Sequence, residues 1–463
     1  MHEAAFSDII IEICLIFLIV FLPFAFGAVG IGPQIVLISI CEIVFLLFLA
    51  KASKIRQPVF SKNIFTWITV VLLAVMIFQV IPLPKSILKI LSINSYNIYM
   101  DFLPGYKEGS FWRTLSFDPL SSKIELFRIM SYGLVAIVII KNFNKKKQIT
   151  RLLTVIAVTG FLAACFGVIQ KFTYNGMIYW VQSVPEGAGP FGPFVNKNHF
   201  AGLMELAIPM AMALVFIENK FAKKVLFAFM AIIMSLALFL SMSRAGILSF
   251  LAALSVATAI LFLRSSLGKF TLKKHIFYLI LTVLTAIFAI FFILKEPLIE
   301  RFSTAHDAFF ARTAVYKDIW RMFMDFPIFG TGAGTFANIF SMYKTFYAEK
   351  VFTHADSDWL QFFAEYGLIV FLSIIILIWV FLKDILYRHF LGKGRSSGPR
   401  HDRFVLVVLL SCAVSIISII FHGFVDINLH IPSNAFLFCV IAAIAFVVAH
   451  GNFHDDTDIK AMK

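Results

Sequence analysis

Long apolar runs recur along almost the whole chain and constrain its fold more than any other feature. An α-helix needs about 20 residues to cross roughly 30 Å of hydrocarbon, and each run comes close to that length. The runs lie at residues 9–29, 34–50, 64–81, 124–140, 149–169, 199–217, 225–242, 245–263, 275–294, 366–382, 404–421 and 434–450. The predicted fold is therefore an all-α polytopic membrane protein with about 12 transmembrane helices.

Composition agrees with a chain that lies mostly in lipid. The 463 residues are 60% hydrophobic and 14% charged, whereas soluble domains average roughly 45–50% apolar and about 25% charged residues. The net charge of +14 would suggest nucleic acid in a soluble protein. Here cytoplasmic loops explain most of it, with a smaller share left for an anionic substrate, so we expect no nucleic-acid partner. The five cysteines lie in apolar runs without disulfide or zinc spacing, and we expect no metal or cofactor.

Short basic segments determine the predicted orientation. Lysine and arginine are concentrated at residues 51–63, 141–148, 218–224, 264–274 and 383–403. All of these segments fall on one side if the N-terminus is cytoplasmic, as the positive-inside rule requires. Both termini are then cytoplasmic, and the first run, which lacks a basic leader and a cleavage site, is an uncleaved span. Residues 295–365 become a large extracytoplasmic helical loop.

The loop is predicted to contain a helix followed by a glycine turn. Residues 312–324 carry apolar side chains on one side, and Pro327 ends the helix because proline cannot continue the hydrogen-bond ladder. Gly330, Gly332 and Gly334 follow. No strand precedes them, so a dinucleotide site is not indicated. A turn, or a backbone nest near a substrate, is the better interpretation.

A polar face is predicted in the last part of the loop. If this stretch is helical, four polar residues share one face: His354, Asp358, Gln361 and Glu365. His354 is the candidate general base, because an unperturbed imidazole pKa of about 6.5 permits proton transfer near neutral pH. Asp358 could orient its ring. A loop histidine that is hydrogen-bonded for structure remains an equal alternative, and a metal site with Asp356 has no recognised spacing.

Two arginines are candidates for binding phosphate. Arg244 lies between two apolar runs, where arginine is costly unless it is paired or faces a polar cavity. Its guanidinium suits bidentate phosphate binding. Arg312 opens the loop helix and could complete a phosphate clamp. The alternatives are a snorkelling Arg244 at a helix end and an ordinary solvated charge at Arg312.

Lys197 and Asn198 mark the start of the sixth run. Asn196 or Asn198 could cap that helix, whose N-terminal amides would favour an anion, and Lys197 adds positive charge. A simple helix start explains the asparagines but not the whole polar sequence. Three acidic residues in or near spans could mark an ion path but form no cluster in the sequence: Glu12, Glu42 and Glu205.

These motifs, in this order, resemble the O-antigen ligase/polymerase superfamily of bacterial membrane glycosyltransferases. The resemblance rests on Ser-Arg-Ala-Gly at 243–246, the Arg-x3-Tyr-x3-Trp helix at 312–320, the glycine segment 327–336, and the His-Ala-Asp-Ser-Asp segment that begins at residue 354, with the loop 192–200 before them. It covers roughly residues 225–370. Many relatives have Asn where this chain has Asp356 or Ser357, which leaves the acceptor contacts open.

The resemblance implies a GT-C-like fold and glycosyl transfer at the outer face of the bacterial cytoplasmic (inner) membrane. The implied donor is a glycan on an undecaprenyl-pyrophosphate carrier in the lipid bilayer. The implied acceptor is a hydroxyl of lipid A-core, another glycan or a protein, and the implied enzyme is a metal-independent inverting transferase. His354 is then the catalytic base. The predicted substrate-binding residues, from the resemblance or from the motifs themselves, are Arg244, Arg312, Lys197, Asn198, Asp358 and Glu365.

The predicted organisation has three parts. Residues 1–224 form an N-terminal transmembrane bundle, 225–370 form the ligase-like core with the loop 295–365, and 371–463 form C-terminal transmembrane helices and a cytoplasmic tail. Twelve spans with one large outer loop favour a ligase, but an O-antigen or exopolysaccharide repeat-unit polymerase is a near alternative. A solute transporter of the same superfamily would need mid-membrane polar groups, broken helices or inverted repeats, which the sequence does not display. A structural scaffold leaves the face around His354 unexplained.

Overall fold

A computed structural model shows a protein that is almost entirely helical. The structure describes residues 2–56, 58–59, 64–109, 111–185, 188–266, 313–347, 352–386, 389–390 and 403–451. Its helices, numbered in chain order, are α1 (His2–Phe24), α2 (Ile31–Lys54), α3 (Ile64–Val80), α4 (Lys85–Leu91), α5 (Ile93–Phe102), α6 (Pro119–Asn142), α7 (Lys146–Phe172), α8 (Lys197–Ile217), α9 (Phe221–Leu240), α10 (Arg244–Ser266), α11 (described over 313–325), α12 (Phe336–Tyr343), α13 (Asp358–Leu386), α14 (Arg403–His422) and α15 (Pro432–His450). Two short antiparallel strands, β1 (Met177–Ile178) and β2 (Gln182–Ser183), pair Met177 with Ser183.

Nine helices among the described residues are long and apolar enough to cross a membrane, judged by length and composition. They are α1, α2, α7, α8, α9, α10, α13, α14 and α15. Each corresponds to one predicted run, so the expectation of an all-α polytopic membrane protein is confirmed. The predicted run 64–81 corresponds to α3, a shorter apolar helix. The run 124–140 lies within α6, and the run 275–294 lies outside the described residues.

Contacts divide the chain into two compact units. Unit 1 comprises Met1–Val59, Ser131–Ile293 and Leu382–Lys463, and unit 2 comprises Phe60–Met130 and Leu294–Phe381. Both units are discontinuous in sequence. The predicted three-part division, with boundaries near residues 224 and 370, is a division of the sequence and stays a prediction.

Unit 1 is a helix bundle around α8. This helix is buried along most of its length and packs against α7, α9 and α14. Gly160 of α7 faces both α8 and α9, since an added Cβ there would lie 2.5 Å from Cβ of Ala207 in α8 and 2.8 Å from Sδ of Met234 in α9. Lipid tails are as apolar as the helices, so close van der Waals packing at small residues holds such helices together.

Unit 2 depends on a break in α13. Gly367 has φ 73° and ψ 179°, a conformation that glycine adopts without a steric penalty. The break separates residues 358–366 from the apolar helix that follows. Backbone hydrogen bonds of 2.8–3.1 Å then join residues 327–332 to residues 364–368, and a side chain at Gly330 or Gly367 would collide with the opposing backbone.

The glycine turn confirms one prediction, and the start of α13 corrects another. Helix α11 ends at residue 325, before Pro327, and Gly330, Gly332 and Gly334 all have positive φ angles in the turn that follows. However, α13 begins at Asp358, so the predicted helix does not include His354. Instead, His354 lies in the bend before the helix.

We expect Gly160→Ala to destabilise unit 1, since the new methyl group would overlap Ala207 and Met234. Overpacking of this kind costs about 1–3 kcal/mol. The matched control is Gly133→Ala in α6, where an added Cβ meets nothing within 4 Å. That change should be neutral, or stabilising by up to about 1 kcal/mol. Thermal unfolding in detergent, followed by tryptophan fluorescence, would measure both, and equal melting temperatures for Gly160→Ala and the natural chain would contradict the packing described.

Candidate active site

The carboxylate of Glu365 is buried and accepts three hydrogen bonds in unit 2. The N–H of Gly334 donates to Oε2 and the N–H of Phe336 donates to Oε1, each over 2.9 Å. Gln361 Nε2 donates to Oε1 over 3.2 Å. The glycine turn is thus an anion-binding nest of backbone N–H groups. The group that it binds in this structure is the carboxyl of Glu365, a side chain of the protein itself.

Gln79 holds the same turn from α3. Its Nε2 donates to the carbonyl oxygens of Phe329 at 2.5 Å and Glu365 at 3.0 Å, while its Oε1 accepts the N–H of Ala333 at 3.3 Å. The side chain is fully buried. A buried amide with both ends bonded fixes the loop around it, because breaking any one bond leaves a polar group without water.

His354 is connected to Glu365 through Gln361. Its Nδ1 lies 3.2 Å from Oε1 of Gln361, and the same oxygen accepts the N–H of Ala355 over 3.2 Å. Since Nε2 of Gln361 donates to Glu365, the amide oxygen is the atom that faces the imidazole. An amide oxygen can only accept, so Nδ1 carries the proton of the neutral ring and Nε2 carries the basic lone pair.

Of the two other predicted residues of this region, the structure describes Asp358 but not Arg312. Asp358 is the first residue of α13 and is fully buried, a position where the partial positive charge of a helix N-terminus stabilises a carboxylate. Arg312 lies outside the described residues. Its predicted contribution to a phosphate clamp stays a prediction.

The remaining predicted residues lie in unit 1. Asn196 caps α8, because its side chain accepts the N–H of Asn198 over 2.8 Å. Of the two asparagines considered for this cap, Asn196 is the one that forms it. Lys197 is the first residue of α8 and is half-buried. Its N–H donates to the carbonyl of Gly189 over 2.7 Å.

Asn198 joins the start of α8 to the start of α10. Its Oδ1 accepts a hydrogen bond from Ser243 Oγ at 2.8 Å, and its Nδ2 donates to Oδ2 of Asp426 at 2.5 Å. Ser243 Oγ in turn accepts the N–H of Gly246 at 3.3 Å and so caps α10. Arg244 is the first residue of α10 and is exposed. The N-termini that carry Lys197 and Arg244 are therefore held together by one amide.

Asp426 supplies the charge in this network. It lies between α14 and α15 and is buried, with the N–H of Ile427 donating to Oδ1 over 2.8 Å and Nε2 of His199 3.4 Å from the same oxygen. Burial alone would raise the pKa of Asp426. The neighbouring His199, the charge of His422 and the N–H of Ile427 outweigh it and lower this pKa to about 2. The carboxylate is thus ionised at neutral pH.

A second buried group lies further along α8. Glu205 is fully buried, with Oε1 at 2.6 Å from Nδ1 of His422 and Oε2 accepting from Ser418 Oγ over 2.5 Å. The sequence indicated no partner for Glu205, and the structure supplies Ser418 and His422. Both partners are more than 200 residues away along the chain, so no local pattern could connect them.

The structure gathers the predicted residues into two groups, one within each unit. Unit 2 brings together His354, Gln361 and Glu365, and unit 1 brings together Lys197, Asn198 and Arg244. Sequence reasoning missed Ser243, Asp426 and His422. An acidic residue in the short connection between the last two apolar runs is the signal that could have found Asp426. Among the described residues, no three His, Cys, Asp or Glu side chains form a group that could hold a metal ion.

The fold and these two polar groups define a multi-pass, all-α membrane protein with a hydrogen-bonded histidine site. Residues 229–375, about a third of the chain, match the O-antigen ligase family. The match confirms the family that the motifs predicted and identifies a family of membrane proteins of glycan transfer, ligation and polymerisation. It contains most of the predicted site residues: Arg244, Arg312, His354, Asp358 and Glu365. Lys197 and Asn198 precede it. No curated protein shows a significant match to the chain.

We expect Asp426→Ala to destabilise unit 1 by about 1–3 kcal/mol, because it leaves the buried amide of Asn198 and the N–H of Ile427 without their acceptor. The exchange variant Asn198→Asp/Asp426→Asn should recover most of that loss. The carboxylate introduced at position 198 can accept from both Ser243 and the amide introduced at position 426, and that amide can in turn accept the N–H of Ile427. Thermal unfolding in detergent would measure the three proteins.

The pH dependence provides a control for this prediction. A carboxyl group whose pKa is lowered by folding stabilises the native state above its unfolded pKa of about 3.9, and the contribution is lost as the pH falls towards about 2. The gap between the natural chain and Asp426→Ala should thus be widest above about pH 4. An exchange variant no more stable than Asp426→Ala would contradict the assigned hydrogen bonds.

Proposed function

We propose that the protein transfers a glycan from an undecaprenyl-pyrophosphate carrier to an acceptor hydroxyl at the outer face of the cytoplasmic membrane, in the manner of an O-antigen ligase. Both termini would then be cytoplasmic and the loop with His354 extracytoplasmic. The family match supports the class of reaction. The observation that carries the chemistry is the hydrogen-bonded chain from Glu365 through Gln361 to His354.

The reaction would be a single displacement with His354 as general base. The acceptor oxygen forms a bond to the anomeric carbon, and the bond from that carbon to the pyrophosphate oxygen breaks. The pyrophosphate leaves with the bonding electron pair, and the acceptor proton moves to Nε2 of His354. Gln361 supports this role twice, because it holds the proton on Nδ1 before the transfer and accepts a hydrogen bond from the imidazolium afterwards. One displacement inverts the anomeric configuration.

The proposed pyrophosphate ligands are Arg244, Arg312 and Lys197. A guanidinium can give two parallel hydrogen bonds to phosphate oxygens, and fixed cations stabilise the charge that develops on the leaving group. Arg244 and Lys197 each occupy the first position of a helix, where backbone N–H groups also favour anions. Such cations would meet the need for charge stabilisation without a metal ion.

The proposed roles of the remaining residues follow from their partners. Asn198 keeps the starts of α8 and α10 together through Ser243, which makes it a positioning residue for the pyrophosphate ligands. Glu365 uses its carboxylate on backbone N–H groups and Gln361. We therefore propose that Glu365 positions the base and does not contact substrate, which revises its predicted role. Asp358 stays a predicted substrate-binding residue.

Two other functions compete with ligation. A repeat-unit polymerase would use the same base and the same cations on a lipid-linked glycan acceptor, so it is the second candidate. A solute transporter is disfavoured by the sequence, which displays no polar groups deep in spans and no broken helix. The structure adds the buried Glu205–His422 pair and the break at Gly367. His422 is the last residue of α14 and Gly367 is the second residue of the predicted run 366–382, so both lie at the ends of apolar segments. The family match is what favours glycan transfer.

Replacing His354 with Ala should abolish glycan transfer while the protein still inserts and accumulates, because the acceptor proton loses its base. Gln361→Met, which keeps the side-chain length but removes the acceptor for Nδ1–H, should lower turnover by about 10²-fold, within the range of general base catalysis. The double variant should be no worse than His354→Ala, since both changes disable one unit.

Surface polysaccharide from a strain that carries each variant in place of the natural gene gives the readout. Loss of lipid-A-linked polymer indicates a ligase, a single capped repeat indicates an O-antigen polymerase, and loss of free polymer indicates an exopolysaccharide polymerase. Normal glycan from His354→Ala would rule out the base. Unchanged glycan in all strains together with lost solute uptake would support the transporter instead.

Arg244→Lys should impair turnover, because a point charge replaces the bidentate fork of the guanidinium. The matched control is Arg151→Lys in α7, an exposed arginine that lies 3.1 Å from Glu12 and has no assigned role. Initial rates with purified lipid-linked donor would compare the two variants, and only Arg244→Lys should be slower than the natural chain. Full activity in Arg244→Ala would show that the phosphate role is wrong.

A further inference from the structure

Residues 81–113 of unit 2 form an ordered, closed loop, described at all positions except 110. Its ends are joined by a bridge in which the N–H of Leu83 donates to the carbonyl of Arg113 at 2.9 Å and the reverse bond is 3.0 Å. Leu83, Leu88 and Leu115 form a small buried core beneath it. Tyr99 closes one side by donating to the carbonyl of Thr114 over 3.2 Å. The loop therefore has its own buried core, and its other side chains are exposed on its surface.

Seven large apolar side chains of this loop are exposed. They are Ile81, Ile87, Ile90, Ile93, Phe102, Phe111 and Trp112. Ile90 and Phe102 are 84% and 71% exposed. Helices α4 and α5 contain seven and ten residues, too few to cross a bilayer. The loop thus presents an apolar surface that it cannot bury by spanning the membrane.

Basic residues outnumber acidic ones in this loop. The loop has four basic residues, Lys85, Lys89, Lys107 and Arg113, against two acidic ones, Asp101 and Glu108. Lys85 lies over the ring of Tyr106 at 4.6 Å, and Lys89 lies over the ring of Tyr96 at 5.6 Å. Isoleucine, phenylalanine and tryptophan beside lysine are typical of helices that lie in the interface of a membrane with anionic lipids.

The start of the loop is fixed near a helix that is suited to lipid. Helix α3 contains no charged residue, and its exposed large side chains are apolar: Trp67, Val70, Val71 and Ile77. The helix ends at Val80, and the loop closes at Leu83. Three residues reach at most about 10 Å, which is close to the roughly 5–8 Å of one headgroup layer.

We infer that residues 81–113 are an interfacial anchor that lies on the headgroup layer of the bilayer, with the two most exposed apolar side chains, Ile90 and Phe102, directed into lipid. The exposed Lys89 and Lys107 would contact anionic headgroups. This inference concerns lipid binding by unit 2 and is independent of the proposed reaction. A protein partner on the same surface is the competing occupant, and the experiment distinguishes it.

The test uses fluorescent labels at single cysteines. The five natural cysteines, Cys14, Cys41, Cys165, Cys412 and Cys439, form no disulfide and can be replaced by alanine. Ile90→Cys and Phe102→Cys then place a bimane label on the proposed lipid surface, and Glu108→Cys is the polar control on the same loop. The labelled proteins are reconstituted into vesicles of phosphatidylethanolamine and phosphatidylglycerol. Two quenchers are compared, a lipid with a nitroxide close to its headgroup and aqueous iodide.

The nitroxide lipid should quench the labels at residues 90 and 102 about threefold more than the label at residue 108, with iodide showing the opposite order. Iodide quenching at residues 90 and 102 as strong as at residue 108 would overturn the proposal in favour of a water-exposed loop. Protection from both quenchers would overturn it in favour of a protein partner. If either variant fails to elute as a single species, labels at Ile87 and Phe111 on the same surface replace it.

Discussion

The carboxylate of Glu365 is the interaction on which the organisation of unit 2 depends. A buried carboxylate is costly unless it is paired with enough donors, and here two backbone N–H groups and one amide supply them. The donors come from the glycine turn and from the helix that carries Glu365 itself. A single carboxyl group therefore fixes the turn, the first part of α13 and the amide of Gln361. Because Gln361 also hydrogen-bonds to His354, these bonds fix the orientation of the imidazole as well.

Unit 1 uses the same physical device at the starts of two helices. The ionised Asp426 orients the amide of Asn198, and the amide holds Ser243 at the N-terminus of α10. Asp426 accepts from the amide nitrogen of Asn198, and the amide oxygen accepts from Ser243, so the hydrogen bonds run from the carboxylate to the helix cap. Both units thus use one buried carboxyl group to fix an arrangement of uncharged donors. Polar networks that are fully satisfied in this way specify geometry more strongly than apolar packing does.

The sequence predicted the elements of the fold better than their partners. Apolar length and basic loops are local properties, and they located the nine helices that the structure supports as spans. The end of α11 before Pro327 and the cap at Asn196 were also predictable, because proline geometry and asparagine capping act over a few residues. His354 and Glu365 were found on the same kind of evidence. The assumed continuous helix between them was wrong at its first turn.

What the sequence could not predict is the pairing across long separations. Gln79 bonds to Glu365 from 286 residues away, and His422 pairs with Glu205 from 217 residues away. Those contacts depend on how the helices pack, and packing leaves no periodic pattern in one sequence. The occupant of the glycine nest was missed for the same reason. A nest indicates an acceptor group, but only the fold showed that this acceptor is the side chain of Glu365.

The break at Gly367 also has a consequence for how the chain enters the bilayer during synthesis. Residues 368–382 contain no charged side chain, so the membrane insertion machinery can accept this stretch by its hydropathy alone. The nine residues before the break carry Asp358, Gln361 and Glu365, and they would make a continuous helix a much poorer substrate for insertion. The break at Gly367 thus lets the apolar residues follow one direction and the polar residues another, so that only the apolar segment has to meet lipid.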